Sequence, residues 1–188
     1  VGLSALGRLD PVRLAGHILE NLCEDIQETV ALAVWGNRGA TIVRIFDSGA
    51  PITITLRAGT VLPLCKSATG QAFAAFFRSP FLKQMLDQEL REISEGSKIA
   101  ITAARRQLEK TLTEIRRHGI SRASGSLTPG INGFSAPVFD HSGMMVAAIT
   151  SLGAVGEFSV EWDSPVAKAM LAAAGDLSRK LGFNRPQR

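Results

Sequence analysis

Residues 57–74, RAGTVLPLCKSATGQAFA, decide the fold. The stretch reads as the end of a strand, a glycine turn, a proline-stiffened loop and the first turn of a helix. Gly59 permits the turn. Pro63 fixes its own φ and removes a ladder donor. Ser67, Ala68, Thr69 and Gly70 then bring small side chains and free amides to a helix N-terminus, where the first amides have no partner inside the helix. Such a terminus suits an anion, and the residues around it do not supply a nucleophile and base to act on one.

Upstream, Asp10-Pro11 is a helix start, a capping side chain followed by proline at the first helical position. Val12, Ala15, Ile18, Leu19, Leu22 and Ile26 follow at helical spacing. Residues 29–35 and 40–46 read as strands joined by the turn Asn37-Arg38-Gly39, a hairpin. Residues 52–56 alternate Ile, Thr, Ile, Thr, Leu and read as a third strand.

Downstream, a short helix is expected over 81–90, and a longer one capped by Thr102 and ending in Arg116, Arg117, His118 and Gly119, cations followed by a glycine. Residues 121–130 read as a polar surface loop beside the anion site. Residues 131–139, interrupted by Pro137, and 144–152 form a second hairpin around the turn Asp140-His141-Ser142-Gly143. Ser164-Pro165 repeats the first start signal, and Gly182 closes the last helix. Hairpins separated by helices give an α+β fold with helices flanking an antiparallel sheet.

Composition narrows the function. With 188 residues, 45% of them hydrophobic and 20% charged, the chain is an ordinary globule able to bury a core. The net charge of +4 is spread along the chain, and no basic recognition helix is present, so direct DNA contact by this segment is not expected. His17, His118 and His141 have no His or Cys partner at ligand spacing, and neither metal nor cofactor is expected. Cys23 and Cys65 cannot build a disulfide framework, which suggests a reducing, cytoplasmic setting. No apolar run reaches the length of a membrane span. The stretch 59–70 lacks the spacing of a phosphate-binding loop. Cys65 precedes a helix N-terminus that lowers a thiol pKa, yet no histidine is near it in sequence to serve as base. From spacing alone, Leu62, Ser67, Ala68, Thr69, Gly70, Ser124, Gly133, Thr150 and Leu152 either converge on a pocket or are merely strand ends and caps.

Several blocks, in order, cover nearly the whole chain: Glu28-Thr29, Leu62-Pro63-Leu64 with Ser67 and Gly70, Glu114-Ile115-Arg116 to Gly119, Gly130, Ala136-Pro137-Val138-Phe139-Asp140, and Leu177-Ser178 to Leu181-Gly182. Together they resemble the C-terminal effector-binding domain of IclR-family transcriptional regulators. The resemblance implies a GAF-like fold over a single domain, residues 1–188, and a small-molecule effector. It also implies assembly into homodimers or homotetramers, and DNA contact only through a winged helix-turn-helix domain ahead of Val1. In family members that bind small organic acids, the positions matching Leu62, Ala68, Thr69, Ala123, Ser124, Gly133, Thr150 and Leu152 hold the effector.

The sequence departs from the family pattern at Cys65, where a histidine is common, and at Gln71, where a lysine is. It also departs at 123–126, where acids are common, and at Gly133 and Leu152, which replace a serine or cysteine. These departures remove polar groups and add room, so an effector larger or more apolar than a two- or three-carbon acid is expected, such as an aromatic acid. Two other classes compete with this sensor: a thiol enzyme built on Cys65, and a dimerisation module without a ligand.

Overall fold

The computed structural model describes residues 10–49 and 56–184. Its elements are α1 (Pro11–Ile26), β1 (Thr29–Gly36), β2 (Gly39–Phe46), α2 (Ala68–Phe76), α3 (Leu82–Ser97), α4 (Ile101–His118), β3 (Ser121–Ser124), β4 (Ile131–Phe139), β5 (Met145–Ala154) and α5 (Pro165–Lys180). The five strands form one antiparallel sheet in the order β2-β1-β5-β4-β3. Helices α1 and α5 cover one face. Helix α2 covers the other, with α4 packed outside it and α3 against α4.

The start signals act as the sequence suggests. The Asp10 side chain accepts from the Val12 amide at 2.9 Å, and the Ser164 hydroxyl from the Ala167 amide at 3.2 Å. In α1 the buried residues Ala15, Leu19, Leu22 and Cys23 form one apolar stripe. Gly119, at φ +73°, ends α4 in the left-handed conformation that glycine adopts freely.

Four expectations change. Helix α3 runs to Ser97, beyond 81–90: Leu82, Leu86 and Leu90 give it an apolar stripe, and Gly96 meets nothing within 4 Å. Thr102 does not cap α4, which starts at Ile101 after Ala100 with no side-chain cap. The polar stretch 121–130 is not all loop. Its first four residues are the edge strand β3, held by pairing with β4 rather than by any apolar alternation of its own. Pro137 does not interrupt β4, because the pairing with β3 reaches only as far as Ser135, opposite Ser121, and β4 has a neighbour on one side only from there on, a setting in which a strand tolerates proline. Residues 52–55 of the expected third strand lie outside the described residues. Segment 59–62 bonds to the outer edge of β2, Ile42 N–H to Thr60 O at 2.9 Å and Leu62 N–H to Ala40 O at 2.8 Å. That edge contact fixes the start of the loop leading into α2.

Strand alternation divides the side chains between the faces. Toward α1 and α5 point Val30, Leu32, Phe134, Ala136, Val138, Ala147 and Ile149, packed with Met170 and Leu177. Toward α2 lie Ala31, Ala33 and Ala148, with Phe73 and Leu64 above them. Among the described residues no helix is long and apolar enough to cross a membrane.

Candidate functional site

The loop entering α2 is pressed hard onto that helix. A Cβ at Gly70 would fall 2.0 Å from the Pro63 carbonyl oxygen and 2.6 Å from Leu64 Cα, so only glycine fits. The Ser67 hydroxyl donates to Pro63 O at 2.7 Å and accepts from the Gly70 amide at 2.8 Å, capping the helix. Glu89 of α3 reaches over and accepts from the Leu64 and Cys65 amides, each at 2.8 Å. Every amide has to be accounted for in a buried turn. Here those of Ala68 and Thr69, both residues buried, meet no acceptor among the described residues.

Below this turn the sheet presents a row of hydroxyls. Thr150 pairs with Ser135, and Ser135 with Ser121, across three strands. Thr69 Oγ1 lies 2.7 Å from Thr150 Oγ1, which lies 3.0 Å from Ser135 Oγ. Three hydroxyls bring three protons and these two contacts use two, so one O–H remains to be donated. Gln71 points away: its amide donates to Cys65 O at 2.9 Å and accepts from Ser121 Oγ at 3.4 Å. The position where the family often carries lysine therefore braces the loop here.

Between the turn and the sheet lies a cavity of about 430 Å³, within the roughly 300–1,000 Å³ of small-molecule sites. Leu62, Ala68, Thr69, Ala123, Gly133, Thr150 and Leu152 line it. Ser124 does not. It follows Ala123 on β3, so alternation turns it to the opposite face, where it is exposed. Other lining residues escaped the sequence reading: Leu56, Thr60, Leu127, Thr128, Pro129, Ile131 and Asn132. Ile131 carried a readable signal, since it shares strand parity with Gly133, but the loop residues carried none. A side chain at Gly133 would meet Leu152 Cδ2 at 2.7 Å, so the glycine makes room for that leucine to cross it.

Among the described residues no Asp, Glu, Lys, Arg or His lines the cavity. Its polar groups are neutral donors and acceptors, and its walls are Leu56, Leu62, Leu127, Ile131 and Leu152. The Ser126 hydroxyl, on the loop between β3 and β4, donates to Lys66 O at 2.8 Å and ties that loop to the α2 turn.

Cys65 is not a poised nucleophile. Burial, then the Glu89 carboxylate beside it, push its thiol up to about 12. A catalytic cysteine needs the reverse shift. Cys23 is buried and also raised, by desolvation first and then by Asp47. Among the described residues no three His, Cys, Asp or Glu side chains gather as a metal site.

Comparison with known proteins adds to this geometry. The family profile described as "Bacterial transcriptional regulator IclR C-terminal" matches residues 3–179. The crystal structure of Pseudomonas aeruginosa HmgR is similar with a TM-score of 0.84 and 35% identity, covering 97% of this chain and 71% of that one. The HTH-type transcriptional regulator RhmR of Escherichia coli is 27% identical over 182 residues, 97% of this chain and 69% of its own length. The HTH-type transcriptional regulator KdgR of the same organism is 24% identical over 184 residues, 98% and 69% respectively.

Proposed function

The chain belongs to the family of C-terminal domains of IclR-type bacterial transcriptional regulators, and from that premise we propose that it is the effector-sensing domain of such a regulator and binds a small organic acid, one with an aromatic or similarly apolar body. One observation carries the reading: two unpaired backbone amides, one unspent hydroxyl proton and an apolar wall meet in one cavity that no charged side chain lines among the described residues.

The effector carboxylate sits at the Ala68 and Thr69 amides, where the helix end favours negative charge. The Thr69 hydroxyl, backed by Thr150 and Ser135, donates to it. With no guanidinium or ammonium lining the cavity among the described residues, much of the affinity comes from the body of the acid against Leu62, Ile131 and Leu152. A two-carbon acid offers no such area. Effector binding then biases the assembly of the domain, a homodimer or homotetramer, and through it the DNA-binding domain that the relatives' printed names imply. The bias is limited to the effector's differential affinity for the two arrangements. The same cavity chemistry, together with a Cys65 thiol held protonated, argues against the thiol-enzyme reading.

A thermal-shift panel of aliphatic and aromatic carboxylates tests this reading. A ligand that prefers the native state raises the Tm with concentration. The expected result is a saturable rise with aromatic acids, lost in Thr150→Val, which breaks the hydroxyl chain without changing the volume much. Stabilisation by glyoxylate-sized acids alone overturns the size assignment. A flat panel overturns the acid effector and leaves a dimerisation module.

A further inference from the structure

At the other end of α2 the last turns of α4 and α5 converge on the far end of β4. Between them lies a cleft of about 800 Å³. Its floor is aromatic. Phe76 at the end of α2, Phe139 at the end of β4 and Phe183 after α5 follow one another with ring centroids 5.9 and 5.3 Å apart. Its rim is cationic: Arg116, Arg117 and His118 come from α4 and Arg179 from α5, and no Asp or Glu among the described residues lines it.

The donors at that rim are largely unspent. Arg116 gives only Nε, to Ala75 O at 3.0 Å, where it caps the carbonyl end of α2; its two terminal nitrogens have no acceptor among the described residues. Arg117 has neither hydrogen bond nor ion pair among them. Arg179 is paired with Asp176, and His118 is stacked on Trp162 at 4.2 Å. The macrodipole of α4 favours cations in its last turn. It does not account for an aromatic wall in front of them, nor for the lack, among the described residues, of a carboxylate paired with Arg116 or Arg117.

We infer that this cleft is a second ligand site, for an organic anion with a flat apolar body. The acid group is held by Arg116 and Arg117, in the forked geometry that guanidinium groups offer a carboxylate, sulfonate or phosphate. The body lies against Phe139 and Phe183. The site is distinct from the cavity: a nine-residue helix of roughly 13 Å separates them. The inference does not rest on the cavity being occupied.

The test is a fluorescence titration with 8-anilinonaphthalene-1-sulfonate, an aromatic sulfonate, on the full chain carrying Ala123→Phe, which fills the first cavity. Saturable binding is expected, weakened by added salt and about tenfold weaker in the added variant Arg117→Glu, where a like charge faces the anion. Arg117 has neither hydrogen bond nor ion pair among the described residues, so this variant breaks none of those. Binding unchanged by Arg117→Glu overturns the site, as does the absence of saturable binding. Should Ala123→Phe fail to fold, amide NMR of the wild-type chain with the same dye decides: shifts at Arg117, Gly119 and Gly175 support the cleft, and shifts confined to Ala68 and Thr69 overturn it.

Discussion

The two faces of the sheet are built from alternate residues of the same strands, yet they carry opposite chemistry. On β4 and β5, Phe134, Ala136, Val138, Ala147 and Ile149 point toward α1 and α5, all of them fully buried. Their neighbours Gly133, Ser135, Thr150 and Leu152 point toward α2, where two are hydroxyls, one is glycine and a cavity is left. The first face is closed and apolar, and it buries the larger of the hydrophobic clusters among the described residues. The second is closed at one end by Phe73 and Leu64 and open at the other. On the proposed reading, the domain keeps one face tightly packed and gives up packing on the other to hold a ligand, the usual relation between stability and a binding site.

The sharpest way to break this comparison is to empty the closed face. Phe134→Ala should cost about 3–5 kcal/mol, the transfer free energy of the ring plus its cavity, read as a fall in urea midpoint. A cost below about 1 kcal/mol would mean that this face is not the tight one.

A second test adds volume to both faces. Ala136, fully buried on the closed side, has no room for a ring, and Ala136→Phe should destabilise by about 1–3 kcal/mol or more. Ala123→Phe places the same ring in the cavity from an edge strand and should stay within about 0.5 kcal/mol of wild type. Equal losses in the two variants would erase the distinction.

The smallest effect concerns a carboxyl group near the closed face. Glu28 lies beside Gly153, its Oε2 2.9 Å from where a Cβ would stand. Burial first, and the Glu157 charge second, raise its pKa above the ordinary 4.5. The native state therefore holds this proton to higher pH than the unfolded chain, and stability falls as pH climbs from about the unfolded value through the raised folded one. Glu28→Gln removes that loss. Its Tm at neutral pH should exceed that of wild type, by the equivalent of roughly 0.5 kcal/mol or less for a partly exposed group, with no gain below pH 4. A lower Tm at neutral pH would reverse the sign.

Much of this architecture is legible in the sequence because the signals are local. Asp10-Pro11 and Ser164-Pro165 mark helix starts within two residues, and two of the turns between strands announce hairpins. Gly70 and Ser67 mark the α2 turn for the same reason. What stayed hidden depends on pairing at a distance. β3 is four residues without apolar alternation, a strand only because β4 lies beside it. The facing of Ser124 hangs on one residue of register, and an error of one sends a side chain through the sheet. The hydroxyl chain joins Thr69 to Thr150, 81 residues apart, and no spacing rule reaches that far. Ser135 was within reach, since Gly133, Ser135 and Pro137 share one parity while Phe134, Ala136 and Val138 share the other.

The measurement closest to the central claim is an amide NMR titration of the wild-type chain with benzoate or a larger aromatic carboxylate. If the open face is an acid-binding cavity, the largest shifts fall on the Ala68 and Thr69 amides, saturate, and disappear in Ala123→Phe. Shifts that avoid those two amides, or that persist when the cavity is filled, would contradict it.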